Sequence, residues 1–251
     1  MKQLLIGNWK MNMQRDASLE LAFQLKKRLK KITQLEVVVS PSFPYLHEVN
    51  SLLAKSHIKL AGQTVASQDN GSYTGEVSAT MLKELGCAYA IVGHSERRHK
   101  MGETDEMINK KINQCYHAGL IPVLCIGETY EQKKNGQSDS VLVRQLQYAL
   151  SKVDGLPENK LVVAYEPVWA IGTGTYMDPA EVSVFQRTIK RTLSSLYSEK
   201  FYDSNVRFLY GGSVNSINAK GFWVAEYIDG MLVGGGSLDP EEFYNIAFQG
   251  E

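Results

Sequence analysis

Eight short apolar runs recur along this chain with room for a helix between neighbours, and that rhythm limits the fold more than any other feature. The runs are Leu4–Ile6, Val37–Val39, Ile58–Leu60, Tyr89–Val92, Ile121–Ile126, Leu161–Ala164, Val206–Leu209 and Met231–Val233. Short, apolar and rich in β-branched residues, they read as strands buried on both faces. Roughly 20–45 residues separate them, enough for the helical crossovers that parallel strands need. The segments between carry helical periodicity. Leu21, Leu25, Leu29 and Ile32 make one stripe, Ile108, Ile112 and Cys115 another, and Val182, Phe185, Ile189, Leu193 and Leu196 a third. Asp178-Pro179 and Asp239-Pro240 each give an N-cap acid followed by proline at the first helical position.

This alternation predicts an α/β chain with an all-parallel sheet, most simply a closed (β/α)8 barrel with helices outside, in a single domain over residues 1–251. A doubly wound open sheet is the alternative, but no Gly-x-Gly-x-x-Gly follows the first run. Lysine plus arginine and aspartate plus glutamate both number 27, so no overall field favours nucleic acid or an anionic membrane. No apolar stretch approaches a membrane span, and Leu4-Leu5-Ile6 is too short for a signal peptide. Cys87, Cys115 and Cys125 form no Cys-x-x-Cys pair, which suits reduced thiols and a cytoplasmic location rather than a disulfide framework or zinc site. The lysine-rich stretch 26–31 reads as a solvated helix face.

In a barrel, chemistry belongs at the carboxyl ends of the strands. Those ends carry Asn8 and Lys10, Gln63, His94-Ser95-Glu96, Glu128, Glu166, Gly211-Gly212-Ser213 and Gly234-Gly235-Gly236-Ser237. The two glycine turns on the last strands suit a phosphate held by backbone N–H groups. Glu166 ends an apolar strand and precedes Pro167, Trp169 and the flexible Gly172-Thr173-Gly174, the pattern of a proton-transfer acid beneath an apolar flap. His94 lies before a helix start, where the cationic imidazole is disfavoured. Lys10, flanked by Trp9 and Met11, suits partial burial beside a carboxylate such as Glu96, and Glu128 suits a bond to the Trp169 indole. The plainer alternatives are a solvated strand-end acid and a surface lysine. His47, His57, His99 and His117 read as surface or packing residues.

Asn8-Trp9-Lys10-Met11-Asn12, Gly93-His94-Ser95-Glu96-Arg97-Arg98, Cys125-Ile126-Gly127-Glu128, Tyr165-Glu166-Pro167-Val168-Trp169-Ala170-Ile171-Gly172-Thr173-Gly174 and Tyr210-Gly211-Gly212-Ser213 occur in that order. Together, and across the whole chain, they resemble the triosephosphate isomerase family. The resemblance implies interconversion of dihydroxyacetone phosphate and D-glyceraldehyde 3-phosphate, a step of glycolysis and gluconeogenesis, with no cofactor and no metal. It implies Glu166 as base, neutral His94 as proton donor to the carbonyl and Lys10 as positive charge, with Asn8 beside it. It further implies phosphate contacts from Gly172, Ser213, Gly234 and Gly235, support from Glu96, Glu128, Trp169 and Tyr210, and a closing lid over 167–177. A homodimer with Met11, Thr74, Glu76 and Arg97 at its interface, and an Arg191–Asp229 ion pair, are implied as well.

Two positions depart from the family pattern. Thr175-Tyr176-Met177 replaces a Lys-Thr-Ala-like hinge, and Gly236 replaces an alanine, which should loosen the last turn by about 0.5–1 kcal/mol. Two rivals stand beside this reading: a metal-assisted sugar-phosphate epimerase using His94, Glu96, Glu128 and Glu166 as ligands, and a catalytically silent barrel kept as a scaffold.

Overall fold

A computed structural model describes residues 1–153, 156, 160–172 and 174–251. Eight parallel strands close into a barrel in sequence order: β1 Leu4–Asn8, β2 Glu36–Ser40, β3 Lys59–Gly62, β4 Cys87–Val92, β5 Ile121–Ile126, β6 Leu161–Tyr165, β7 Val206–Tyr210 and β8 Gly230–Val233. The ring shuts where Leu4 pairs with Gly230 through Val233 opposite Gly7. Gly230 is obligatory there. Its φ of 151° lies in the left-handed half of the map, and a Cβ would fall 1.8 Å from the Leu4 carbonyl oxygen.

Alternation along each strand sorts the side chains into two cores. Leu4, Ile6, Val38, Ile91, Val123, Ala164, Leu209 and Leu232 fill the barrel interior. Leu5, Val37, Val39, Val92, Leu124, Val163 and Phe208 face the helices. Those helices are α1 Arg15–Arg28, α2 Leu46–Leu53, α3 Ala79–Glu84, α4 Ser95–Lys100, α5 Asp105–His117, α6 Tyr130–Lys134, α7 Ser138–Ala149, α8 Pro179–Leu196, α9 Glu199–Asn205, α10 Ala219–Trp223 and α11 Pro240–Phe248. The apolar stripes on α1, α5 and α8 are the buried faces, although Phe185 is only half-buried and Leu196 is 40% exposed as α8 runs past the sheet. Asp178 accepts from the Ala180 N–H, and Asp239 from the N–H groups of Glu241 and Glu242, as their Asp-Pro signatures predict. Run boundaries moved by one or two residues. Ile58, for example, precedes β3, because its N–H turns to the Ser56 hydroxyl instead of the ladder.

An ionic plug closes the amino-terminal end of the barrel. Glu36 accepts from Lys59 Nζ, Tyr89 Oη and Arg207 Nη1, each at 2.6 Å. Burial pushes the Glu36 carboxyl up, but these three donors outweigh it and hold the group down at about 2. The implied Arg191–Asp229 pair does not form. Arg191 is exposed on α8, and the Asp229 carboxylate instead accepts the Phe208 N–H at 2.8 Å.

Candidate active site

The carboxyl ends of the strands surround a mouth of about 220 Å³, lined by Asn8, Lys10, His94, Glu166, Gly172, Ser213, Gly234 and Gly235 among others. Side chains distant in sequence therefore converge because each ends a strand of one ring.

Lys10 follows β1 with φ of 53°, a conformation disfavoured for any residue with a Cβ. Four contacts hold it there. Its N–H donates to Asn8 Oδ1 at 3.0 Å, and its carbonyl accepts from Ser42 Oγ at 2.9 Å and Gln63 Nε2 at 2.7 Å. Its ammonium donates to Glu96 Oε1 at 2.9 Å. Strain with this much restraint fixes an ammonium group at the rim of the mouth. Burial pushes the Glu96 carboxyl up, but the bond to Lys10, with its charge, holds the group below its ordinary value.

His94 is the N-cap of α4. Its Nδ1 accepts the Glu96 backbone N–H at 3.3 Å, while the Glu96 carboxylate is 3.7 Å away, beyond hydrogen-bond reach. An Nδ1 that accepts carries no proton, so the imidazole is the neutral Nε2–H tautomer. Nε2 points at Glu166 Oε1, 3.4 Å distant. The other carboxylate oxygen, Glu166 Oε2, accepts the Ser95 N–H at 3.0 Å. Glu166 is 2% exposed, and Gly211 makes room for its methylene groups: a Cβ on Gly211 would lie 2.8 Å from Glu166 Cγ. The Cys125 thiol lies against the carboxylate, raised far above its ordinary value by burial first and then by the Glu166 charge; it is a neutral filler there.

Glu128 anchors the segment beyond Glu166. Its carboxylate accepts Trp169 Nε1 at 2.9 Å and the Tyr165 hydroxyl at 3.1 Å, and its carbonyl accepts the Val168 N–H. Burial raises the Glu128 carboxyl against those donors. The Lys133 ammonium sits 3.6 Å from the centre of the Trp169 ring. Ser213 Oγ donates to the Ala170 carbonyl, and the Met177 N–H donates to Tyr210 Oη at 3.0 Å. Tyr176 does not disrupt this end. Its ring meets Phe222 edge-on at 6.5 Å, and Phe222 stacks on Tyr210 at 4.3 Å. Thr173 lies outside the described residues.

Opposite, the N–H groups of Ser213, Gly234 and Gly235 have no backbone or side-chain acceptor among the described residues, while Gly172 takes φ of 71° on the facing rim. At Gly236 a Cβ would meet the Val214 carbonyl oxygen at 3.0 Å and Ile246 Cδ1 at 3.3 Å, so an alanine methyl would fit only tightly there.

Met11 is 94% exposed beside the mouth, and Thr74 and Glu76 are exposed on the loop between β3 and α3. Arg97, half-buried beside Tyr73 and Glu76, also reaches a buried network, where Glu103 accepts from Arg97 Nε, Lys111 Nζ and the Gly93 N–H. His47, His57, His99 and His117 are all exposed and away from the mouth. The rival metal reading needs His94, Glu96, Glu128 and Glu166 around one ion. Among the described residues no group of three or more His, Cys, Asp or Glu is so placed. The reading from sequence missed Ser42, Ser95 as the holder of Glu166, Lys133 and Glu103.

A closed parallel barrel with an acid, an imidazole and an ammonium facing unpaired N–H groups at its carboxyl rim defines the class of phosphate-binding barrel enzymes. Comparison with known proteins narrows the class. Residues 3–249 match the family model described as triosephosphate isomerase. The triosephosphate isomerase of Thermus thermophilus is 43% identical over 240 residues, 96% of this chain and 95% of its own. That of Aquifex aeolicus is 40% identical over 248 residues, 99% of each. A crystal structure of the Bartonella henselae triosephosphate isomerase superposes with a TM-score of 0.89 at 32% identity, covering 99% of both chains. The chain belongs to the triosephosphate isomerase family, and it is an isomerase.

Proposed function

We propose that the chain, acting as one domain, interconverts dihydroxyacetone phosphate and D-glyceraldehyde 3-phosphate by proton transfer through an enediolate, without a metal or organic cofactor. The observation that carries this reading is the His94 geometry. An imidazole whose Nδ1 accepts from the Glu96 N–H presents Nε2–H towards the Glu166 carboxylate across the mouth. The phosphate rests on the N–H groups of Gly172, Ser213, Gly234 and Gly235, with dipoles rather than an arginine supplying the field. Glu166 leaves the Ser95 N–H, removes a proton from carbon 1 and returns it to carbon 2. His94 Nε2–H donates to the carbonyl oxygen and moves protons between the two oxygens. Lys10, positioned by Asn8 and Glu96, balances the charge that grows on the enediolate. A positioned base contributes about 10²–10⁴ in rate, and each fixed donor to the oxyanion about 10²–10³.

Residues 167–177 act as a lid. Its entry is steadied by Glu128 at Trp169, and its exit by Tyr210 at Met177. Closure keeps water from an enediolate that could otherwise eliminate its phosphate. The exposed Met11, Tyr73 and Met101, at 94%, 50% and 68%, support a homodimer in which the loop carrying Thr74 and Glu76 seats beside the partner's mouth. No helix among the described residues is long and apolar enough to cross a membrane, and the reading places the enzyme in the cytoplasm with a small phosphorylated triose as its partner. A coupled isomerase assay in chelator-treated buffer tests the activity. Turnover unaffected by the chelator is expected, and properly folded protein without turnover would return the scaffold reading. Sedimentation of the wild type and of Thr74→Arg tests the dimer, with a monomer expected only for the variant.

A further inference from the structure

A second concavity, of about 750 Å³, lies at the other end of the barrel from the mouth. It is formed where the last turn of α1 meets the segment after α2, both of which lead into the entry ends of strands. Phe23, Lys26, Lys27, Lys30, Lys55 and His57 line it, and no carboxylate does. In a chain with 27 cationic and 27 anionic side chains, composition does not produce such an excess.

Lys26 builds the floor. Its ammonium donates to the carbonyls of Leu52 at 2.7 Å and Ala54 at 2.8 Å, joining α1 to the end of α2. The other three lysines are left over. Lys10, Lys59, Lys110, Lys111 and Lys190 each pair with a carboxylate. Among the described residues no carboxylate lies within 4.0 Å of Lys27, Lys30 or Lys55. The nearby Glu251 carboxylate accepts the Thr33 and Gln34 N–H groups outside the lining. Lys55 also holds φ of 64°, a backbone position beyond a helix end where glycine or asparagine is unstrained. Phe23, 51% exposed, supplies a bare aromatic ring beside the ammonium groups.

We propose that this groove binds a nucleoside polyphosphate, its base against Phe23 and its phosphates among Lys27, Lys30 and Lys55. Three unpaired point charges match several linked phosphates better than a single one. An exposed ring beside them offers the stacking face that sequence-tolerant base recognition uses. The volume is that of an ordinary small-ligand site.

The test is titration calorimetry at low ionic strength with ATP, inorganic tripolyphosphate and adenosine. The proteins are the wild type, K27E/K30E, Phe23→Ala and Lys10→Ala, each first shown folded by its melting curve. ATP is expected to bind the wild type about fivefold or more tighter than tripolyphosphate, the difference being the stacked base. K27E/K30E should weaken ATP at least about tenfold, as expected for replacing two phosphate contacts with repulsion. Phe23→Ala should bring ATP down to tripolyphosphate, and Lys10→Ala should leave ATP binding unchanged. No binding at millimolar ATP overturns the proposal. So does binding that survives K27E/K30E or vanishes in Lys10→Ala, which would place the nucleotide in the mouth. Tripolyphosphate bound as tightly as ATP, with no effect of Phe23→Ala, overturns it too, leaving only a general anion surface.

Discussion

Gly211→Ala would add one methyl group directly beneath the proposed base. The new Cβ would lie 2.8 Å from Glu166 Cγ, and the Tyr165 carbonyl oxygen at 3.3 Å blocks retreat the other way. Carbon atoms settle at about 3.5–4.0 Å, so the Glu166 side chain must move by about 0.7–1.2 Å. Misplacing a reacting group by about 1 Å costs about 10²-fold in rate, or roughly 2.7 kcal/mol of activation free energy. Of the N–H groups proposed to hold the phosphate, those of Gly234 and Gly235 are on the neighbouring turn and that of Ser213 lies two residues further along the same one, so the loss should fall mainly on kcat, with KM changed by less than about tenfold. Stability should change less. Overpacking costs about 1–3 kcal/mol, and restricting the unfolded chain returns about 0.4–1 kcal/mol, so Tm should fall by only a few degrees. The assay is coupled steady-state kinetics in both directions beside a thermal melt. A folded variant with kcat within about threefold of wild type would refute the idea that Glu166 placement limits the chemistry.

Three further outcomes follow from the same geometry. Glu166→Asp withdraws the carboxylate by about 1 Å and should lower kcat by about 10²-fold with substrate binding kept; near-normal turnover would remove Glu166 as the base. Glu36, held down at about 2 against an ordinary 4.5, contributes stability that is complete above pH 4.5 and is lost as pH falls towards 2. After allowance for solvent screening the loss is about 1–2 kcal/mol; urea melts should show it in the wild type and not in Glu36→Gln, and equal slopes would dismiss the plug. Lys133→Met removes the ammonium over Trp169, a contact of about 0.5–1 kcal/mol at an exposed site. Trp169 should then leave its place more readily, changing tryptophan emission and shifting the exchange of the proposed lid by about two- to fivefold; unchanged emission and exchange would make the contact incidental.

How much of this was legible in the sequence varies with the range of the interaction. The barrel follows from run length and spacing, and Asp178 and Asp239 announce their caps within three residues. The Lys10–Glu96 and Glu128–Trp169 pairs join residues 86 and 41 apart. They became readable only once the partners were placed at the carboxyl ends of the strands. Nothing local links Ser95 to Glu166 or Lys133 to Trp169, because those contacts depend on the angle at which α4 and α6 leave their strands. Tyr165 reaches Glu128 because alternation turns it outward while Ala164 faces the interior, a register that the apolar run alone does not reveal. Arg191 and Asp229 show the opposite error. A pairing carried over by resemblance fails where the carboxylate is satisfied by a backbone N–H instead.

Solvent deuterium uptake bears most directly on the proposed chemistry. If Glu166 carries the proton between adjacent carbons, it can exchange with water while the enediolate lives. Product made from dihydroxyacetone phosphate in deuterium oxide should then carry deuterium at carbon 2, detectable by proton NMR, and Glu166→Gln should lose turnover and labelling together. Full turnover without deuterium at either carbon, kept in Glu166→Gln as well, would mean that hydrogen passes directly between the carbons and that the carboxylate base has no part in the reaction.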